Sequence, residues 1–234
     1  MVAINTISNL IKSATSPAAF TDMSFTNNFL CGLSGSRKYC LETGTGKWHG
    51  GNTYLTSIST DYVKSCGVKN AQVICNDDIY KPTWERSMPF DKPVKSVKLR
   101  NNLVCVVTTE NALYCAYYGT SNWILKASPK VAQMSHNGKQ ACATTATGGL
   151  ICTEDINPAK VTWTINAQFK NVSQVKLSSY ATCVVLKSSE VHCAKVSSTA
   201  FVKMDYQFQQ IAIFGNTLAG SSNKDLKLIA LDFR

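Results

Sequence analysis

The chain has 234 residues, 44% of them hydrophobic, and 24 Lys and Arg residues against 14 Asp and Glu residues give a formal net charge of +10. This composition is typical of a globular protein rather than a disordered one, and no apolar run approaches the roughly 18 to 20 residues that cross a bilayer. The positive charge favours anionic partners, but the basic residues are scattered and form no nucleic-acid-binding motif, so specific nucleic-acid binding is not predicted.

The N-terminal segment is the first predicted element. Residues 1–20 lack the basic start and the continuous apolar stretch of a secretory signal peptide. Residues 8–14 (SNLIKSA) resemble residues 121–127 (SNWILKA) much later in the chain. This similarity indicates that residues 8–14 are a displaced copy of a repeated strand.

Ten cysteines then reveal an internal repeat. They fall into five pairs with spacings of nine or ten residues, and an apolar residue stands eleven and eight positions before the first cysteine of each pair. The cysteine pairs are Cys31 and Cys40, Cys66 and Cys75, Cys105 and Cys115, Cys142 and Cys152, and Cys183 and Cys193. The apolar anchors are Phe20 and Met23, Leu55 and Ile58, Val94 and Val97, Val131 and Met134, and Val172 and Val175.

A sixth copy keeps the same frame without cysteines. Phe208 and Ile211 stand eleven and eight residues before Ala219, where the cysteine has become alanine. The approximate repeats are 20–54, 55–93, 94–130, 131–171, 172–207 and 208–234. We interpret residues 1–234 as a single domain of six units.

Each unit predicts four short strands, which is the size of a propeller blade. The sixth unit ends before its fourth strand, and residues 8–14 supply a matching segment. We therefore predict an all-β fold, a six-bladed β-propeller of four-stranded antiparallel blades, with the N-terminal strand 8–14 pairing with the last blade to close the ring.

The cysteine spacings fit β-hairpins. Turns centred on Gly35-Ser36 and Asn70-Ala71, or a three-residue loop at Thr109–Asn111, place the two cysteines of a pair opposite one another, within reach of a disulfide. Five disulfides favour an oxidising compartment, so we expect an extracellular, secreted protein whose signal peptide has been removed. Five reduced, buried pairs in a cytosolic propeller remain the alternative.

Motifs that carry chemistry are sparse. His49-Gly50-Gly51-Asn52 lacks an accompanying nucleophile elbow, and Asp77-Asp78 is better explained as a solvated loop than as a calcium site. The CxxC spacing of zinc sites is absent. We therefore expect no enzyme, no metal and no cofactor.

Aromatic residues recur at one position of the repeat. After the second cysteine come Trp48, Trp84, Trp123, Trp163 and Phe201. Packing between blades explains this recurrence, and the alternative is that the rings face inter-blade grooves or the rim, where the CH faces of sugars stack. Tyr117 and Tyr118 are further aromatic candidates near loops. The candidate carbohydrate-binding residues are Trp48, Trp84, Trp123, Trp163, Tyr117 and Tyr118.

The repeat resembles that of tectonin-type β-propeller lectins. The matching frame is Val94–Val97, Leu113-Tyr114 and residues 121–126 (SNWILK), with weaker copies along the whole chain. The resemblance implies recognition of cell-surface or microbial glycans by several blade-related sites. The cysteine pairs also resemble those of secreted repeats of the chromosome-condensation-regulator type, whose propellers bind proteins.

Two functions follow from these observations. The first is a secreted, multivalent carbohydrate-binding protein whose partners are glycans, including acidic ones, because similar grooves around a ring give avidity. The second is a protein-binding propeller, an inhibitor or effector, that uses one face. The single N-glycosylation sequon begins at Asn171, directly before the anchor Val172.

Overall fold

The structure is a computed structural model that describes residues 19–79, 86–126, 129–222 and 225–233. These ranges contain 23 β-strands in six antiparallel sheets and no helix. In the first three blades the strands are β1 (Asp22–Phe25), β2 (Phe29–Ser34), β3 (Arg37–Glu42), β4 (Trp48–Tyr54), β5 (Ser57–Asp61), β6 (Lys64–Lys69), β7 (Gln72–Asn76), β8 (Arg86–Ser87), β9 (Val94–Arg100), β10 (Leu103–Thr108), β11 (Leu113–Tyr117) and β12 (Ile124–Lys126). In the last three they are β13 (Val131–His136), β14 (Ala141–Thr145), β15 (Leu150–Thr153), β16 (Thr164–Asn166), β17 (Val172–Leu177), β18 (Ala181–Leu186), β19 (Glu190–Lys195), β20 (Val202–Gln207), β21 (Gln210–Phe214), β22 (Thr217–Ser222) and β23 (Asp225–Ala230).

The sheets are the blades of a ring. Within each sheet every strand pairs with the next strand along the chain. The first strands of the blades, β1, β5, β9, β13, β17 and β21, each contact the first strand of the following blade, and β21 contacts β1. The predicted six-bladed propeller is therefore confirmed, with these six strands around a central channel.

Five blades have four strands, and the last has three among the described residues, β21 to β23. The strand predicted at residues 8–14, which would complete the last blade, lies outside the described residues.

The hairpin prediction is confirmed in all five cysteine-containing blades. Each pair of cysteines occupies directly opposite positions of the second and third strands, with Cα atoms 4.0 to 4.2 Å apart, and forms a disulfide. The turns Gly35-Ser36 and Asn70-Ala71 have φ angles between +51° and +69°, as two-residue type I′ turns require.

The hydrophobic core lies between neighbouring blades. The anchor residues of every repeat, from Phe20 to Ile211, are buried and pack with the disulfides in clusters that span two adjacent sheets. Sheet faces packed in this way leave the loops, the strand ends and the outer fourth strands for solvent and partners.

The ring has two faces, which differ in their loops. The upper face carries the connections from first to second strand and from third to fourth strand of each blade. The lower face carries the hairpins between second and third strands and the connections from one blade to the next. We use these two names below.

Candidate functional site

Two of the four exposed tyrosines among the described residues, Tyr62 and Tyr117, lie on the upper face of blades 2 and 3. Tyr62 and Val63 form the turn between β5 and β6, and 65% of Tyr62 is exposed. Tyr117 is 62% exposed at the end of β11, and Tyr118 follows it. We call the surface formed by Tyr62, Val63, Lys64, Arg86 and Tyr118 the tyrosine patch; Tyr117 follows Cys115 on the opposite face of the sheet, towards blade 4, and is not part of it.

Lys64 of blade 2 connects the tyrosine patch to blade 3. Its Nζ atom donates a hydrogen bond to Asn102 Oδ1 at 2.9 Å and lies 4.6 Å from the centroid of the Tyr118 ring. The Tyr118 backbone N–H in turn donates to the Asn102 carbonyl oxygen at 2.8 Å. A cation over an aromatic ring holds both groups in a defined arrangement, so the patch is preorganised.

Asp77 and Arg86 complete the surroundings of Tyr118. The Tyr118 hydroxyl group donates to Asp77 Oδ1 at 2.8 Å, and Arg86 Nη2 lies 3.5 Å from Asp77 Oδ2. Burial, together with the hydrogen bond to Asp77, raises the pKa of Tyr118 above its usual value. Tyr118 therefore stays protonated at physiological pH. The Asp77 carboxylate interacts with both the neutral Tyr118 hydroxyl group and the Arg86 guanidinium.

The backbone at Tyr62 is unusual for its residue type. Its φ angle is +52°, in the left-handed region, which costs energy for a bulky side chain. The corresponding turns of blades 3 and 6 begin with Asn101 and Gly215, residues that adopt this conformation readily. An aromatic residue that is both strained and exposed is a candidate for a binding role.

The predicted tryptophans lie apart from this patch and from one another. Trp48 packs with its ring centroid 6.0 Å from that of Phe20. Trp123 donates from Nε1 to the Pro89 carbonyl oxygen at 2.8 Å, with its ring 4.9 Å from that of Phe90. Trp163 is partly buried against the core between blades 3 and 4, and Trp84 lies outside the described residues. The three described rings are half-buried in seams between blades, and their role in sugar binding stays a prediction.

A cleft of about 170 Å³ opens between blades 4 and 5. Its polar lining is held together by Gln140, whose side-chain amide donates to Glu154 and to Ser197 Oγ. Ile165 beside it is 74% exposed, and the Cys142–Cys152 disulfide forms part of its wall. Hydroxyl, amide and carboxylate groups beside apolar surface are the chemistry that binds a small polar ligand such as a sugar.

Side chains in the central channel satisfy the free edges of the first strands. The backbone N–H groups of Thr60, Leu99 and Leu177 donate to Ser24, Ser59 and Ser135 of the preceding blade, each at 2.9 Å. Side-chain oxygens thus replace the missing sheet partners of these three edge strands, β5, β9 and β17. These bonds fix the angle between consecutive blades.

Two lysines interrupt this series of serines. Lys98 and Lys176 occupy the equivalent positions of β9 and β17, and their Nζ atoms lie 3.5 and 3.4 Å from Asp22 Oδ1. Burial alone would raise the pKa of Asp22, but the two lysines lower it to about 2. Burial and the neighbouring Lys98 lower the pKa of Lys176 to about 8. The free volume nearby is only about 50 Å³, so this cluster is structural.

His136 lies in the same channel. Its Nε2–H donates to the Lys98 carbonyl oxygen at 3.2 Å, and the Gly138 N–H donates to Nδ1 at 3.3 Å, which defines the neutral tautomer. Burial lowers the pKa of His136 to about 4. The channel cluster was not predicted from the sequence, and of the tyrosine patch only Tyr118 was among the candidate residues. The predicted role of Tyr117 and Tyr118 in carbohydrate binding stays a prediction. The signal for the channel cluster was the Ser24, Ser59, Lys98, Ser135, Lys176 series, one residue after each second anchor.

Comparisons with known proteins support the fold and leave the family open. No family model matches the sequence, and no curated protein matches it. The solved structures similar to this chain include human WBSCR16, at 12% identity and a TM-score of 0.64, covering 92% of this chain and 77% of that one. YCF48 bound to D1 peptide is 12% identical with a TM-score of 0.59, covering 91% and 82%. Prp20p from Saccharomyces cerevisiae is 8% identical with a TM-score of 0.62, covering 93% and 70%.

At these identities the similarity shows a β-propeller and nothing finer. The resemblance to tectonin-type lectins remains an interpretation of the sequence. The described residues contain no helix with the length and apolar character needed to cross a bilayer.

Proposed function

We propose that this chain is a secreted protein-binding propeller and that the tyrosine patch on its upper face is the binding surface. The observation that carries the proposal is Tyr62, an exposed aromatic residue held at a φ angle of +52° in the same surface depression as Lys64, whose ammonium group lies over the Tyr118 ring. Tyrosine and arginine are enriched among the residues that dominate binding energy in protein interfaces.

Two further observations support this proposal. The first is that five disulfides are consistent with an extracellular protein. The second comes from propellers of similar shape: the structure of YCF48 contains a bound D1 peptide, and Prp20p is described with its binding to Gsp1p and histones. Protein binding through one face is therefore a use to which this architecture is well suited.

The test compares the wild-type protein with Tyr62→Gly and Lys64→Ala, both in the tyrosine patch, in a capture experiment against secreted and cell-surface proteins of the source organism. Glycine relieves the left-handed backbone at position 62, so Tyr62→Gly should be at least as stable as the wild type and yet lose its partner. Tyr54→Ser is the matched control, because Tyr54 is equally exposed but lies at the lower-face end of β4. The same partner captured with equal affinity by all four proteins would refute the proposal.

The cleft between blades 4 and 5 supports carbohydrate binding as a second candidate function. Its lining of Gln140, Glu154 and Ser197 offers donors and acceptors for sugar hydroxyl groups, beside the exposed side chain of Ile165. This location agrees with the predicted inter-blade sites, although the lining residues are not the predicted tryptophans.

A glycan array with wild type, Glu154→Gln and Glu110→Gln tests this second function. Glu110 is an exposed carboxylate on a lower-face hairpin and makes the same charge change away from the cleft. We expect binding to a defined neutral sugar that resists salt and weakens about tenfold or more in Glu154→Gln only. No binding to any neutral sugar would exclude the cleft as a lectin site.

A further inference from the structure

The two faces of the ring differ in charge. Among the described residues, and apart from the ion pair of Arg100 and Asp61, the upper-face loops and strand ends carry six basic side chains, Lys47, Lys64, Arg86, Lys139, Lys160 and Lys195, and six carboxylates, Glu42, Asp77, Asp78, Glu154, Asp155 and Asp232. On the lower face the basic side chains are Arg37, Lys69, Lys92, Lys130, Lys170 and Lys187. The carboxylates there are Asp91, Glu110, Asp225 and Asp205, the last towards the lower end of β20. Two more are paired, Glu190 with Lys203 and Asp22 with the channel lysines. The excess positive charge is therefore on the lower face.

The lower-face cations form an arc around the ring. Arg37 and Lys69 flank the hairpin turns of blades 1 and 2. Lys92 and Lys130 lie in the segments leading into blades 3 and 4. Lys170 and Lys187 lie at blade 5, on either side of Asn171. Five of the six are classed as exposed and Lys92 is half-buried. No carboxylate in the described chain interrupts the arc between Lys130 and Lys187 on this face.

The loops that carry the arc are held rigidly by backbone hydrogen bonds. In each of blades 1 to 5 the hairpin between second and third strands bonds to the segment that leads into the next blade, for example Leu55 N–H to Ser36 O at 2.7 Å and Val94 N–H to Ala71 O at 2.8 Å. The blade 5 hairpin also bonds to the segment that leads into its own blade: the Lys187 N–H donates to the Asn171 carbonyl oxygen at 2.9 Å. Because the backbone of these loops is already fixed, binding of a polyanion has to order the cationic side chains but not the loops.

From these observations we infer that the lower face binds an acidic polysaccharide, one whose sulfate or carboxylate groups follow the arc from Arg37 to Lys187. A protein with five disulfides works where such glycans occur and where nucleic acids are not the usual partners. In the part of the chain that the structure describes, none of the exposed aliphatic side chains lies in the lower-face loops, so these loops offer no aliphatic surface to a lipid bilayer. The site is separate from the tyrosine patch and does not depend on its function.

The experiment measures binding to immobilised heparin at 150 mM salt with two triple variants of equal net charge. Lys130→Glu, Lys170→Glu and Lys187→Glu together reverse half of the arc, and Lys47→Glu, Lys160→Glu and Lys195→Glu make the same change on the upper face outside the tyrosine patch. These side chains are exposed, so both variants should fold, as circular dichroism and the absence of free thiols will confirm. We expect the lower-face variant to lose on the order of tenfold or more in affinity and to elute at lower salt, while the upper-face variant stays within about threefold of the wild type.

Three outcomes would overturn the inference. Equal losses in the two variants would show an effect of total charge without a site, and failure of the wild type to bind heparin at 150 mM salt would remove the partner. Tighter binding to single-stranded DNA or to vesicles containing phosphatidylserine than to heparin would assign the arc to another class of polyanion.

Discussion

The ring of Phe208 occupies the space in which a side chain at Gly220 would stand. A Cβ atom added at Gly220 would lie 2.1 Å from Cδ2 of Phe208, and blade 1 repeats the relationship, with 2.3 Å between a Cβ at Gly32 and Cδ1 of Phe20. Where the first anchor is the smaller Val94, the equivalent position of the second strand carries Val106 instead of glycine. Anchor and opposing residue therefore share one fixed volume.

This relationship predicts a compensating pair of substitutions. Gly220→Ala should destabilise the protein by about 1 to 3 kcal/mol, because the methyl group overlaps a buried ring. Phe208→Val alone should also destabilise, because it leaves a cavity. The double variant should be less destabilised than the two single changes added together, measured by guanidinium unfolding without reductant. Strict additivity would mean that the two positions do not share their volume.

The channel cluster predicts an asymmetry between Asp22 and Lys176. Asp22→Asn leaves Lys98 and Lys176 buried without their common carboxylate, which should cost roughly 3 to 5 kcal/mol. Lys176→Met leaves the pair of Asp22 and Lys98 intact and removes a buried charge, so it should cost much less. Denaturant unfolding of both variants tests this order, and a larger loss for Lys176→Met would contradict the proposed geometry.

His136 predicts a loss of stability in weak acid. The folded protein binds a proton at His136 only near pH 4, whereas the unfolded chain does so near pH 6.5, so between these values the unfolded state holds more protons. The free energy of unfolding should therefore fall as the pH drops from 6.5 towards 4, by at most about 3 kcal/mol from this residue. Below pH 4, protonation of Asp22, whose pKa is about 2, removes a further contribution.

The variant His136→Gln provides the control for this pH dependence. Glutamine does not titrate, so the slope of unfolding free energy against pH should flatten between pH 7 and 5 in the variant and persist in the wild type. Equal slopes in the two proteins would assign the pH dependence to other groups.

The disulfides should differ in their susceptibility to reduction. Cys152 is half-buried and lines the cleft between blades 4 and 5, whereas both cysteines of every other disulfide are at most 2% exposed. A thiol reagent therefore reaches Cys142–Cys152 first. Brief treatment with dithiothreitol, alkylation and peptide mapping should label these two cysteines before the other eight, and simultaneous labelling of all ten would contradict this prediction.

The fold could be predicted from the sequence alone because every repeat contains the same local pattern. The anchors Val94 and Val97, the opposed cysteines and the turns recur at fixed spacing, and each feature is satisfied within about 40 residues. The channel cluster could not be predicted in this way, because it forms only in the closed ring. Asp22 and Lys176 are 154 positions apart and come into contact because the six blades bring the chain back to its start. The turn at Tyr62 could not be predicted for a different reason, because neither Tyr62 nor Val63 is a usual turn residue.

The local character of the disulfides has a consequence for biosynthesis. Every bridge joins two cysteines that are consecutive in the chain, nine or ten residues apart. Each blade can therefore complete its own oxidation as soon as its hairpin has emerged during synthesis, before the next cysteine pair exists. Of the many pairings that ten cysteines permit, the order of synthesis selects the native one, and a blade that is later reduced has its correct partner still at hand.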